Sequence, residues 1–145
     1  MSAEDLKALG RRYIEELNKG KAAALAAMDE LYAADLVFHG GGGEETRGIE
    51  NYKQFVSEFF KAFPDLHWTI DDILVEGDKV VARFTLTGTH KGEFMGIPRT
   101  NRKVTMWVIS IDRIVGGKFV EEWERMDTLG FVQQLGLAST PAKEK

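Results

Sequence analysis

Gly117-Lys118-Phe119-Val120-Glu121-Glu122-Trp123-Glu124-Arg125-Met126-Asp127 reads as the last strand of a sheet. Successive side chains of a strand point to opposite sides, so alternation places Val120, Glu122, Glu124 and Met126 on one face. Carboxylates between apolar neighbours are out of place on a face that has to bury something. Burial raises a carboxyl pKa toward the range in which the group accepts and returns a proton near neutrality, as enolate chemistry and acid/base ring closure require. This strand is therefore the first place to look for function.

Working back toward Pro64, the period stays at two. Strands are predicted near 66–75, 79–90, 103–114 and 118–126, with Glu76-Gly77-Asp78 and Val115-Gly116-Gly117 as tight connections. The loop from Lys91 to Asn101 is longer than a hairpin needs and reads as a pocket rim. The strand at 103–114 is apolar on both faces, with Val104, Met106 and Val108 on one and Trp107, Ile109 and Ile111 on the other. An antiparallel sheet usually wets one face. Two apolar faces call for helices over one side and a second copy of the chain over the other, a homodimer through the outer sheet face.

Before Pro64 the pattern is helical. Ser2 and Asp5 resemble a capping box, after which Leu6, Leu9, Tyr13, Ile14 and Leu17 recur at helical spacing as far as Gly20. A second short helix is predicted over Ala22 to Tyr32, with Leu25, Met28 and Leu31 as its buried stripe. Leu36 to His39 forms a short strand stopped by four glycines, and a third helix begins near Gly48 with an aromatic face built on Tyr52, Phe55, Phe59 and Phe63. Leu129, Val132 and Leu135 give a last helical turn. The expected organisation is one domain over 1–137 and a frayed tail over 138–145, with no repeat or linker.

A chain of 145 residues buries roughly 68–70% of its unfolded surface, enough for a core and a pocket. With 43% hydrophobic and 29% charged residues it belongs to the ordinary globular class, and no apolar run approaches a membrane span. The start has no secretory pattern and reads as that of a cytoplasmic protein. Zero cysteines exclude disulfides, thiolate metal sites and cysteine nucleophiles. A net charge of -4 with scattered Lys and Arg argues against nucleic-acid binding. No His/Asp/Glu set has metal-ligand spacing, and Gly40 to Gly43 lead into Glu44-Glu45 rather than a Walker ending, so neither metal nor phosphate cofactor is expected.

The order of elements, together with Gly88-Thr89-His90-Lys91-Gly92-Glu93-Phe94-Met95-Gly96-Ile97-Pro98, Gly117-Lys118, Glu121-Glu122-Trp123-Glu124, Asp127, Leu129-Gly130 and Gln133-Gln134-Leu135-Gly136, resembles the SnoaL-like polyketide cyclase (ester cyclase) family of the nuclear transport factor 2-like superfamily. The resemblance implies an α+β cone, three N-terminal helices packed on a curved antiparallel sheet. It also implies a cofactor-independent intramolecular aldol condensation on an apolar carbonyl substrate, run by an acid/base on the last strand. Ungapped counting places Glu124 at that position. The family's histidine on the preceding strand falls at Ser110, and the tyrosine near the end of its first helix falls at Leu17. Ketosteroid isomerases resemble the chain at Tyr13, but their base falls near Gly40, which cannot act as one.

Each candidate has a bland counterpart. Glu124 is read as the general base and acid, against a rim salt bridge with Arg125 or Arg83. Glu122 shares its face and would raise its pKa by repulsion, or is a solvated charge. His39, at the mouth of the predicted turn, is a second acid/base or carbonyl donor, or a strand-end cap. His90 is read as a structural hydrogen bonder and His67 as exposed. Tyr13, Phe55, Trp68, Met106, Val108 and Ser110 are assigned to the cavity wall, a list that depends on strand register. Two rivals stay open beside the cyclase: a non-catalytic small-molecule-binding or dimerisation module, and a hydrolase or dehydratase on the same scaffold.

Overall fold

The computed structural model describes residues 1–40 and 43–137, so the tail expected over 138–145 lies outside the described residues. Helix α1 (Ala3–Asn18) starts at a reciprocal capping box: Ser2 Oγ accepts from the Asp5 amide at 3.1 Å and Asp5 Oδ2 accepts from the Ser2 amide at 2.9 Å. Leu6, Tyr13 and Leu17 form its buried stripe. Gly20, at φ 115°, opens α2 (Lys21–Leu31) in a conformation only glycine adopts cheaply. Ala24, Ala27, Met28 and Leu31 face inward there, while Leu25 is half-buried; small side chains let α2 approach its neighbours closely. Helix α3 (Ile49–Ala62) buries Tyr52, Val56 and Phe60, and Pro64 prevents its continuation.

The strands are β1 (Tyr32–His39), β2 (Glu45–Arg47), β3 (His67–Glu76), β4 (Lys79–Thr89), β5 (Lys103–Val115) and β6 (Lys118–Met126), followed by α4 (Thr128–Gln134). They form one sheet in the order β2-β1-β6-β5-β4-β3. Gly116 and Gly117, both at positive φ, make the tight β5–β6 turn that a hairpin twist favours. The helices cover one face of the sheet, giving the α+β architecture expected. No helix among the described residues is long and apolar enough to cross a membrane.

Three details differ from the sequence reading. First, β1 begins at Tyr32 rather than Leu36, because Tyr32 pairs with Phe119 of β6 and tertiary pairing overrides the helical preference of Ala33 and Ala34. Second, the sheet is not wholly antiparallel: β1 runs parallel to β6, a pairing no hairpin constrains since α3 and four strands separate the two. Third, β6 pairs Glu121 with Arg113 but Phe119 with Ile114, which leaves Val120 as the extra residue of a bulge. Val120 therefore leaves the carboxylate face, and Phe119, 1% exposed, takes its place in the core.

The core gathers at the covered face. Phe63, Phe94 and Phe131 meet edge to face with ring centroids 5.5–5.8 Å apart, an arrangement that aromatic quadrupoles favour. His90 is fully buried beside them, stacked on Phe63 and within 3.0 Å of Thr100 Oγ1 through Nδ1, in the structural role expected of it. The opposite face of β5 leaves Trp107 53% and Ile109 52% exposed.

Candidate active site

Between the helices and the concave face of the sheet lies a cavity of about 270 Å³. Its walls are mostly apolar: Tyr13, Ile14 and Leu17 from α1, Phe55, Val56 and Phe59 from α3, and Trp68, Phe84 and Val108 from the sheet. Phe94 and Met95 of the long loop reach it from the side. That loop is pinned to the end of α3, since the amides of Lys91 and Gly92 both donate to the Ala62 carbonyl, at 2.9 and 3.2 Å. An apolar cavity with a few polar groups converging on it is the usual form of a small-molecule site.

The polar groups come from paired positions of β5 and β6. Ser110 stands opposite Glu124 and Asp112 opposite Glu122, so three carboxyls and a hydroxyl share the inward face. Glu122 is 4% exposed and held at both oxygens, by the Tyr32 hydroxyl at 3.1 Å and the Tyr52 hydroxyl at 2.8 Å. Tyr32 is itself packed between Tyr52 and Phe119, with ring centroids at 5.4 and 4.8 Å, so this donor has a fixed direction.

These surroundings shift the other groups. Burial and, after it, the charge of Glu122 push the Glu124 carboxyl up to about 8. Burial, the charge of Glu122 and a hydrogen bond to it hold Asp112 well above the ordinary carboxylate range. Burial first and the same charge second raise the hydroxyls of Tyr13, Tyr32 and Tyr52, which stay protonated donors. Two buried polar atoms at the cavity wall, the Tyr13 hydroxyl and Asp112 Oδ1, have no hydrogen-bond partner among the described residues. Glu44 adds another acid to the lining, and no Lys, Arg or His lines the cavity among the described residues. Nor is there, among those residues, a group of three His, Cys, Asp or Glu placed to hold a metal ion.

Of the residues singled out from sequence, Glu124, Glu122, Tyr13, Phe55, Trp68, Val108 and Ser110 line this cavity. Met106 and His39 do not. Met106 points to the same side of β5 but is 1% exposed, sealed in the core opposite Leu86. His39 alternates with Phe38, whose partner is Glu122, and so faces away from the cavity. There it stacks on Trp123 at 5.1 Å, and its Nε2 lies 2.7 Å from Glu121 Oε2. From that side of the sheet it cannot donate to a ligand in the cone.

The ion pairs weighed against Glu124 are not formed. Arg125 instead donates to the carbonyls of Gly40 and Glu124, at 3.1 and 2.8 Å, and Arg83 pairs with Asp71 at 3.8 Å. Sequence reasoning missed Asp112, Tyr32 and the polar role of Tyr52. For Asp112 the signal was present: it continues the alternation Val108, Ser110, Asp112 that assigned Ser110 to the wall. Tyr32 was hidden by its assignment to a helix.

Residues 7–135 match the family described as SnoaL-like polyketide cyclase. The chain is 32% identical over 132 residues to the aklanonic acid methyl ester cyclase DauD of Streptomyces sp. (strain C5), covering 88% of this chain and 80% of that protein. It is also 32% identical, over 88% of each chain, to the aklanonic acid methyl ester cyclase DnrD of Streptomyces peucetius. Among solved structures it is similar to TsrD from Streptomyces laurentii, with a TM-score of 0.82, 30% identity and coverage of 95% of this chain and 99% of that one.

Proposed function

Because the chain belongs to the SnoaL-like polyketide cyclase family, we propose that its cavity closes a ring in an uncharged, polyketide-like carbonyl ester by cofactor-independent acid/base catalysis at Glu124. The observation that carries this reading is one acid in an apolar cavity whose pKa of about 8 lets it exist in both forms near neutrality. In the first half-reaction the Glu124 carboxylate removes a proton from the carbon next to a carbonyl, leaving an enolate. That carbon attacks a ketone of the same molecule; a carbon–carbon bond forms and the ketone π pair moves to oxygen. The new alkoxide then takes the proton back from Glu124. Product and substrate are isomers, so no co-reactant is consumed.

The hydroxyls of Ser110, across the strand pair, and of Tyr13 are the groups able to donate to the developing oxyanion. The charge pattern of the walls favours an ester. A free carboxylate would enter a cavity holding the Glu122 charge with no basic residue among the described residues to offset it, whereas an ester brings no charge.

The test is turnover of aklanonic acid methyl ester, the compound in the names of the two cyclases, followed beside its free acid. Wild type converts the ester and leaves the acid, and Glu124→Gln lowers the rate by on the order of 10²–10⁴ while still binding. Undiminished turnover by Glu124→Gln rules out the assigned base. Equal conversion of the acid rules out the charge selection.

A further inference from the structure

Glu122 is the most heavily tethered polar group in the cavity, yet the ring closure described above gives it no proton to move. It is 4% exposed, it accepts from two tyrosine hydroxyls, and it lies one inward-facing position from Glu124 along β6. Across the strand pair Asp112 faces it in register and shares a hydrogen bond with it. Two facing carboxylates in a buried site do not both ionise, so the pair keeps one proton. Tyr32 and Tyr52 donate to Glu122, whereas Asp112 Oδ1 has no partner among the described residues. Burial first and the Glu122 charge second hold Asp112 well above the ordinary carboxylate range, so the proton stays on Asp112.

Resting on the reading of Glu124 as the base, we infer that Glu122 is a positioning residue for it: a fixed anion, held in place by Tyr32, Tyr52 and protonated Asp112, that sets the proton affinity of Glu124. The ionisable groups facing Glu124 and Glu122 among the described residues are all accounted for in this arrangement. They are Asp112 from β5, Tyr13 from α1, Tyr32 from β1, Tyr52 from α3 and, in the lining of the cavity, Glu44. The neighbouring guanidinium of Arg125 is engaged by backbone carbonyls instead. Burial raises the acid first, and the Glu122 charge adds to it. A base tuned only by burial would change strength whenever a ligand changed the solvation of the cavity. A tethered charge on the same strand does not depend on the ligand.

Side-chain carboxyl carbon NMR of protein labelled at Asp and Glu follows each acid directly and needs no substrate. In wild type the Glu124 carboxyl titrates near 8. In Glu122→Gln its proton affinity falls by about tenfold or more, a change of at least about one pH unit toward the ordinary range. In Asp112→Asn it stays near the wild-type value, because asparagine still donates to Glu122 and the charge remains. Tyr52→Phe keeps all three carboxyls and, by weakening the hold on the anion, moves Glu124 in the same direction as Glu122→Gln. That variant decides the matter if Glu122→Gln does not fold.

A Glu124 titration that ignores both Glu122→Gln and Tyr52→Phe overturns the inference, since burial alone would then set the value. A fall in Asp112→Asn as large as in Glu122→Gln also overturns it, since the charge would not belong to Glu122. Failure of the catalytic reading looks different: Glu124→Gln keeps turnover while the titrations still follow Glu122.

Discussion

Replacing Glu124 by glutamine should make the protein more stable, and increasingly so as the pH rises. The folded-state value of about 8 lies above the ordinary 4.5, so the native protein binds this proton more tightly than the unfolded chain does. Below about pH 4.5 both states hold the proton and nothing is lost. Between 4.5 and 8 the unfolded chain ionises while the native one does not, and native stability declines by about 1.4 kcal/mol per pH unit. Above 8 both are ionised and the loss is complete. The whole interval amounts to about 5 kcal/mol, as much as the entire stability of a weakly stable domain. Glutamine has nearly the same shape and cannot ionise, so it avoids the loss. Asp112 stays raised in both proteins, by burial first and the Glu122 charge second with Glu124 the smallest cause, so most of its contribution cancels from the difference. Urea unfolding at half-unit steps from pH 5 to 9 measures it, with a common slope m confirming that only stability has changed. The gap between variant and wild type should widen through this range and level off above about 8. Parallel curves, or a gap that narrows with pH, would show that Glu124 is solvated and that the proton affinity on which the catalytic reading relies is absent.

Two other perturbations examine the frame and the outer face. An alanine at Gly92 would place its Cβ 2.6 Å from the Lys61 carbonyl oxygen and 3.2 Å from Ala62 Cα, both backbone atoms with little room to yield. Gly92→Ala should therefore cost about 1–3 kcal/mol and lower the melting temperature by several degrees, whereas an unchanged melt would mean that the loop is not pinned to α3. On the far side of the sheet we propose that a second copy covers the exposed Trp107 and Ile109. Sedimentation velocity should show a dimer that Trp107→Lys converts to monomer, and a wild-type monomer at the highest loading concentration ends that proposal.

How much of this could be read from residues alone follows from where local and non-local forces agree. Helices α1 and α3 were legible because the capping box of α1, the proline after α3 and the apolar stripes of both are local, and the β3–β4 and β5–β6 hairpins because Gly77 and Gly116-Gly117 fix their turns. β1 was only half legible. Tyr32 to Asp35 have helical neighbours and become a strand through pairing with a segment almost 90 residues away. The bulge at Val120, where β6 pairs with β5, is likewise something no alternation rule contains. Glu122, Glu124 and Ser110 were assigned to one side because they lie beyond the bulge, where the period is intact. His39 was misplaced for a reason of parity: a strand read from Leu36 shows no partner for Phe38, and only the Phe38–Glu122 pairing reveals that His39 must point the other way.

The same parity explains why the site is acidic throughout. β5 and β6 offer the cavity one residue in two, and at the polar end these positions are Ser110, Asp112, Glu122 and Glu124, with no basic residue among them. Burying three carboxyls together with no cation would ordinarily be untenable, because each ionised acid loses several kcal/mol of hydration. The arrangement persists because only one of them has to be charged. Two tyrosine hydroxyls solvate Glu122, Asp112 remains protonated against it, and Glu124 keeps its proton until close to pH 8. An added cation would ease the burial and, in doing so, pull Glu124 back toward an ordinary carboxylate, too weak a base to remove a carbon-bound proton. In the function we propose, the lack of a basic partner among the described residues is thus what lets a glutamate at this position exchange a proton with its ligand near neutrality.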